Sequence, residues 1–121
     1  MSTHDALIDR YIACWNEADP VRRRALIAET FAEGATYLDP LHAAEGQDGI
    51  AALIEGAQLQ FPGLAFSRRG GADAHHDRLR FAWALGPAGG EALAGGTDIG
   101  LLAADGRFAS VLGFIDFAPK G

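Results

Sequence analysis

The chain has one cysteine, no apolar run of the ~18 residues a membrane helix needs, and fewer basic than acidic residues. Each shortage removes a class of protein. Cys14 cannot pair within the chain, so there is no disulfide framework, and its apolar helical surroundings mark it as a buried structural thiol rather than a nucleophile. Ten Lys and Arg against sixteen Asp and Glu leave a formal net charge of -6, which argues against nucleic acid as a partner. The one basic cluster, Arg22-Arg23-Arg24, stands close to Asp19 and Glu29 and reads as a solvated helix face. A glycine-rich phosphate loop before a helix and a Gly-x-Ser-x-Gly elbow are also missing, which removes nucleotide chemistry and serine-nucleophile hydrolysis. With no charged-then-apolar start and no spanning segment, a soluble cytoplasmic protein without a membrane partner is expected.

What is present suits a single domain, 1–121, large enough to bury roughly two-thirds of its unfolded surface. Leu7, Tyr11 and Trp15, with Ile8 and Ile12, predict a helix over 3–17, with Ser2 and Asp5 as its capping box. Asp19 and Pro20 read as the cap and first position of a second helix, with Leu26, Ile27 and Phe31 on its inner face and Gly34 ending it. A short strand over 35–39 is stopped by Pro40, a polar loop runs from Ala43 to Gly46, and a third helix covers 47–60. From Leu64 the pattern alternates, which predicts strands near 64–73, 75–86, 91–103 and 107–117. Their turns fall at Gly70-Gly71, Pro87 to Gly90 and Asp105-Gly106. Three helices and one strand followed by a meander make an α+β plan: three N-terminal helices on a curved, mainly antiparallel sheet with a conical interior.

Three polar residues stand in otherwise apolar or extended segments. Asp39 precedes a proline, so it is held at a strand end; it reads either as a turn-initiating Asp or as a desolvated general base. Asp98 is the lone ionisable residue of Leu93 to Leu102 and faces either solvent or a pocket, where burial would keep it neutral or hydrogen-bonded. Gly96 and Gly100 share its face and would leave room above the sheet. Tyr11 lies on the inner stripe of the first helix with Trp15; it is a core residue, or with Asp98 a second oxyanion donor. Trp83 belongs to the apolar face of Leu79, Phe81 and Leu85, opposite Arg78 and Arg80, and either face could be concave. His75 and His76 adjoin at a strand start, point to opposite faces and cannot share one metal, so no metal is expected and His76 is placed at a pocket rim. Phe114 and Asp116 share a face of the last strand; Asp116 is a site residue or a salt-bridge partner.

Arg10-Tyr11, Trp15-Asn16, Asp19, the run Phe31 to Pro40, Gly46 opening a helix, Asp105-Gly106-Arg107 and Gly113 to Asp116 together resemble the NTF2-like superfamily, nearest its SnoaL-like branch. The resemblance spans nearly the whole chain. Ketosteroid isomerases are similar at three sites: their base falls on Asp39, and their oxyanion-hole Asp and Tyr fall on Asp98 and Tyr11. The resemblance implies a cofactor-independent isomerase, or a polyketide-type cyclase with Asp98 or Asp116 as acid/base, acting by enolisation of a small hydrophobic carbonyl compound. The alternative to that leading reading is a hydrophobic-ligand-binding protein without activity, and the resemblance also implies a homodimer through the outer sheet face. The epoxide hydrolases of the superfamily need an Arg where this chain has Gly96, which disfavours that chemistry.

Overall fold

The computed structural model describes residues 3–119. Two helices open it, α1 (Thr3–Asn16) and α2 (Pro20–Thr30), followed by strands β1 (Phe31–Leu38) and β2 (Ala43–Glu45) and helix α3 (Gly46–Gln60). Five strands complete it: β3 (Leu64–Arg68), β4 (Asp73–His75), β5 (Arg78–Pro87), β6 (Ala94–Leu102) and β7 (Phe108–Phe117). The sheet runs β2-β1-β7-β6-β5-β3, with β4 also on β5, and every pairing is antiparallel except β1 with β7. The three helices pack on its concave face, giving the expected α+β cone. Among the described residues no helix is long and apolar enough to cross a membrane.

Local chemistry accounts for the boundaries. Asp19 caps α2 by accepting from Val21 N at 3.1 Å, with Pro20 at the first helical position. That helix stops at Thr30 rather than at Gly34, because Phe31 turns extended and its side chain, fully buried, joins the core from a strand instead of from the helix. Ala43 to Glu45, expected as loop, form an edge strand on β1. The expected capping box begins at Ser2, outside the described residues. Asp105-Gly106 does turn the chain as its sequence predicts: Gly106 takes φ +88, and Ala103 N donates to Arg107 O at 2.7 Å.

The middle of the sheet departs from the expected pattern. Gly70-Gly71 is an interruption within one line of strand, since β3 and β4 both pair antiparallel with the same edge of β5. The reversal comes instead at His76-Asp77, where His76 takes φ 51. His76 is therefore exposed in a hairpin loop and does not reach the cavity, which corrects its assignment to a pocket rim. Arg23 is corrected too. It is 5 % exposed, with its guanidinium donating to Glu17 O, Ala18 O and Gln58 Oε1, so it ties α2 to α3 while Arg22 and Arg24 pair with Asp19 and Asp48 at the surface. Cys14 is buried against Thr30, and burial lifts its thiol to about 11, as a structural role requires.

Leu79, Phe81, Trp83 and Leu85 form the concave side of β5, and their partners on β6 are Gly100, Asp98, Gly96 and Ala94. The glycines leave space that aromatic rings fill: a Cβ at Gly100 would collide with the Phe108 ring and one at Gly96 with the Trp83 indole. Phe108 is fully buried and cannot move aside. Gly100→Ala should therefore cost about 1–3 kcal/mol by overpacking, whereas exposed Gly34→Ala, with nothing within 4 Å, should stay within about 1 kcal/mol of the parent. Urea unfolding midpoints test this; equal midpoints for the two variants would contradict the packing described.

Candidate functional site

Tyr11 enters the cone from the third turn of α1. Its ring meets Phe81 and Phe108 edge-on, at 5.1 and 5.5 Å between centroids, and Phe31 at 5.8 Å. This aromatic nest aims the hydroxyl. It donates to Asp98 Oδ2 at 2.7 Å, while Trp83 Nε1 donates to Oδ1 at 3.0 Å. Asp98 itself is 2 % exposed, so the alternation of β6 has turned it inward rather than to solvent. Burial raises its pKa to about 6, the Tyr11 and Trp83 hydrogen bonds pull it back, and the charges of Asp39 and Asp116 push upward again. Burial, reinforced by the Asp98 charge, holds the Tyr11 phenol well above its ordinary range, so it stays a donor.

Asp39 faces this pair across a glycine. The cross-strand partner of Asp98 is Gly113, where a Cβ would lie 2.7 Å from Asp98 Oδ1 and 3.5 Å from Asp39 Cβ. Any side chain at 113 would occupy the gap between the carboxylates. Asp39 combines both roles open from its sequence: Oδ1 accepts from Leu41 N at 2.8 Å and His42 N at 2.7 Å, which forms the turn, and the residue also lines the cavity. Tyr37 donates to its Oδ2 at 2.7 Å. Burial, then the Asp98 charge and this hydrogen bond, raise the Tyr37 phenol far above its usual value.

A cavity of about 190 Å³ lies between these groups, walled mostly by apolar side chains, with Trp15, Trp83 and half-exposed Phe114 among its lining. The structure thus gathers Tyr11, Trp15, Asp39, Trp83, Asp98 and Phe114 around one space. Asp116 is outside it. Alternation along β7 turns Gly113 inward beside Asp98 and Asp116 outward with Leu112, where it meets Thr97 and Arg69, whose hydrogen bonds lower its pKa. Tyr37, His42 and Gly113 were not singled out from the sequence. The two-residue spacing of Tyr37 and Asp39 was the available signal for one of them, whereas His42, with Nδ1 3.4 Å from Asp39 Oδ1, depends on the turn geometry. Among the described residues no group of three or more His, Cys, Asp or Glu is placed to hold a metal ion.

The model of the SnoaL-like domain matches residues 8–111. A solved structure from Agrobacterium tumefaciens, a candidate isomerase of the SnoaL-like family, is similar with 44% identity over 97% of this chain and 100% of that one, at a TM-score of 0.91. An NTF2-like protein from Exiguobacterium (22% identity, 91% and 98% covered, TM-score 0.71) and a candidate SnoaL-like polyketide cyclase from Jannaschia (18%, 96% and 90%, 0.70) share the fold. Among curated proteins none matches the chain.

The Asp98 environment has a pH signature. Its folded pKa of about 6 exceeds the 3.8 of an unfolded Asp, so its contribution to stability is complete below about pH 4 and is lost as pH rises through 6. The loss is on the order of 2–3 kcal/mol. Asp98→Asn should flatten the stability profile over that window, and carboxyl-detected NMR of the wild type should give Asp98 a midpoint near 6. A midpoint near 4 would contradict the buried geometry.

Proposed function

Because the chain belongs to the SnoaL-like domain family, we propose that it is a cofactor-independent isomerase or polyketide-type cyclase that enolises a hydrophobic carbonyl compound. The observation that carries this reading is the buried Tyr11–Asp98–Trp83 cluster facing Asp39 across Gly113. Asp39 takes a proton from the carbon beside the carbonyl, using the acceptor position that its three hydrogen bonds leave over. The electron pair moves onto the carbonyl oxygen. Asp98 in its neutral form turns from acceptor to donor, which frees the Tyr11 proton to point at that oxygen. In an isomerase Asp39 returns the proton to a distant carbon; in a cyclase the enol carbon attacks a second carbonyl of the same molecule. The 44% identical candidate isomerase supports the first branch.

A second reading is hydrophobic-ligand binding without turnover. It is favoured by the engagement of Asp39 in the turn it initiates, a structural duty that would explain the residue by itself. The two readings separate on one set of variants. Against enolisable ketones, Asp39→Asn should lower kcat by about 10²–10⁴ and Tyr11→Phe by about 10²–10³, with phenol binding to Asp39→Asn retained. Undiminished turnover by Asp39→Asn would remove it as the base, and absence of turnover by the wild type alongside phenol binding would leave the binding reading.

For the homodimer, the outer face of the sheet supplies a candidate surface. Leu38, Leu112 and Ile99 are exposed at consecutive register positions across β1, β7 and β6. Sedimentation should give a dimer for the wild type and a monomer for Leu112→Glu; a dimer unaffected by that change would place the interface elsewhere.

A further inference from the structure

We infer that the ligand of this cavity is a neutral, single-ring compound, and that Trp83 sets this size limit. The inference rests on the reading above that the cavity is the ligand site. A cavity of about 190 Å³ is slightly larger than the ~150 Å³ that accommodates benzene in an apolar core. It is below the ~300 Å³ at which pockets begin to take larger drug-sized molecules. A fused four-ring compound exceeds that volume and would have to move the walls or extend past the exposed lining residues Leu41 and Phe114.

The walls that would have to move are aromatic. Trp83 lies over Gly96, where even a Cβ would collide with its indole, and its Nε1 is tied to Asp98 Oδ1 at 3.0 Å. Its ring also packs against Phe66 at 5.6 Å between centroids, and Phe66 in turn against Trp15 at 5.4 Å. The indole is therefore held by a hydrogen bond at one edge and ring contacts at the other. It occupies the space that the glycine opened.

Charge narrows the class further. Among the described residues the cavity lining contains two carboxylate residues, Asp39 and Asp98, and no Arg or Lys. An anionic ligand would meet like charge where the one described imidazole of the lining, His42, already stands against Asp39, in surroundings where desolvating its charge is expensive. The polar groups available to a ligand are one cluster deep in the cavity, at Tyr11 and Asp98, and one at Asp39 with Tyr37 and His42. A ring with one carbonyl or phenolic oxygen meets the first with its oxygen and presents an adjacent carbon to the second.

Calorimetric titration with phenol, 2-naphthol, 4-hydroxybenzoate and estradiol tests this on the wild type, Trp83→Phe and Trp83→Ala. Phenol should bind the wild type at least about tenfold more tightly than 4-hydroxybenzoate or estradiol. Trp83→Ala should shift the ratio of 2-naphthol to phenol affinity about tenfold toward naphthol, and Trp83→Phe should shift it less. Estradiol binding the wild type as tightly as phenol would overturn the size limit, as would an unchanged ratio in Trp83→Ala. If Trp83→Ala does not fold, Trp83→Leu takes its place. These are binding measurements, so a size limit found without ketone turnover would sink the enolisation reading alone.

Discussion

The Tyr11–Asp98 hydrogen bond is the constraint around which this structure is organised. A carboxylate at 2 % exposure in an apolar cone is tolerable only with partners, because an unpaired buried charge costs several kcal/mol. Tyr11 and Trp83 supply one donor each, one to each oxygen. Meeting that need fixes the axial position of α1, since Tyr11 must reach the middle of β6, and it fixes the Trp83 rotamer. The glycines at 96 and 113 follow from the same requirement: one admits the indole and the other admits the carboxylate.

The sheet then brings the second carboxylate within range. Parallel pairing of β1 with β7 sets Leu38 beside Leu112, so the next residue of β1's chain, Asp39, arrives beside Gly113. Pro40 and the amides of Leu41 and His42 hold the Asp39 carboxylate at the place where the strand ends. Two acidic groups with different environments thus face one cavity. Deep burial raises Asp98, while the Asp39 carboxylate accepts from two backbone amides and the Tyr37 hydroxyl.

The sequence made much of this legible. Asp98 stood out because nothing else in Leu93 to Leu102 can ionise, and Tyr11 because it interrupts an apolar stripe of helical period. The three helices were readable from the same periodicity, and the Asp105-Gly106 turn from its need for positive φ. What escaped depended on register. The strand residue in Phe31 looked helical because its apolar spacing continues that of α2, and only the extended backbone at that point separates the two. Gly70-Gly71 looked like a hairpin turn, yet both flanking segments lie along the same edge of β5, and His76-Asp77 beyond it took the turn. Asp116 lies outside because it follows the alternation of Leu112, whose face of β7 is the outer one, and the sequence left open which face of the sheet is concave. Arg23 looked solvated because a sequence does not reveal that two loop carbonyls and Gln58 wait for its guanidinium.

Tyr11 and Asp98 are 87 positions apart, and the strand that brings Asp39 beside them pairs with residues more than seventy positions later. No subset of neighbouring elements contains the cavity. During folding the space comes into being only with the last long-range pairings, whose loop closure is entropically costly and slow. A ligand that fills it therefore has nothing to recognise in any partly folded chain, and its whole binding free energy adds to the stability of the finished molecule. In a cell, the presence of such a compound would lengthen the lifetime of the protein as well as occupy it, so that abundance would follow ligand supply.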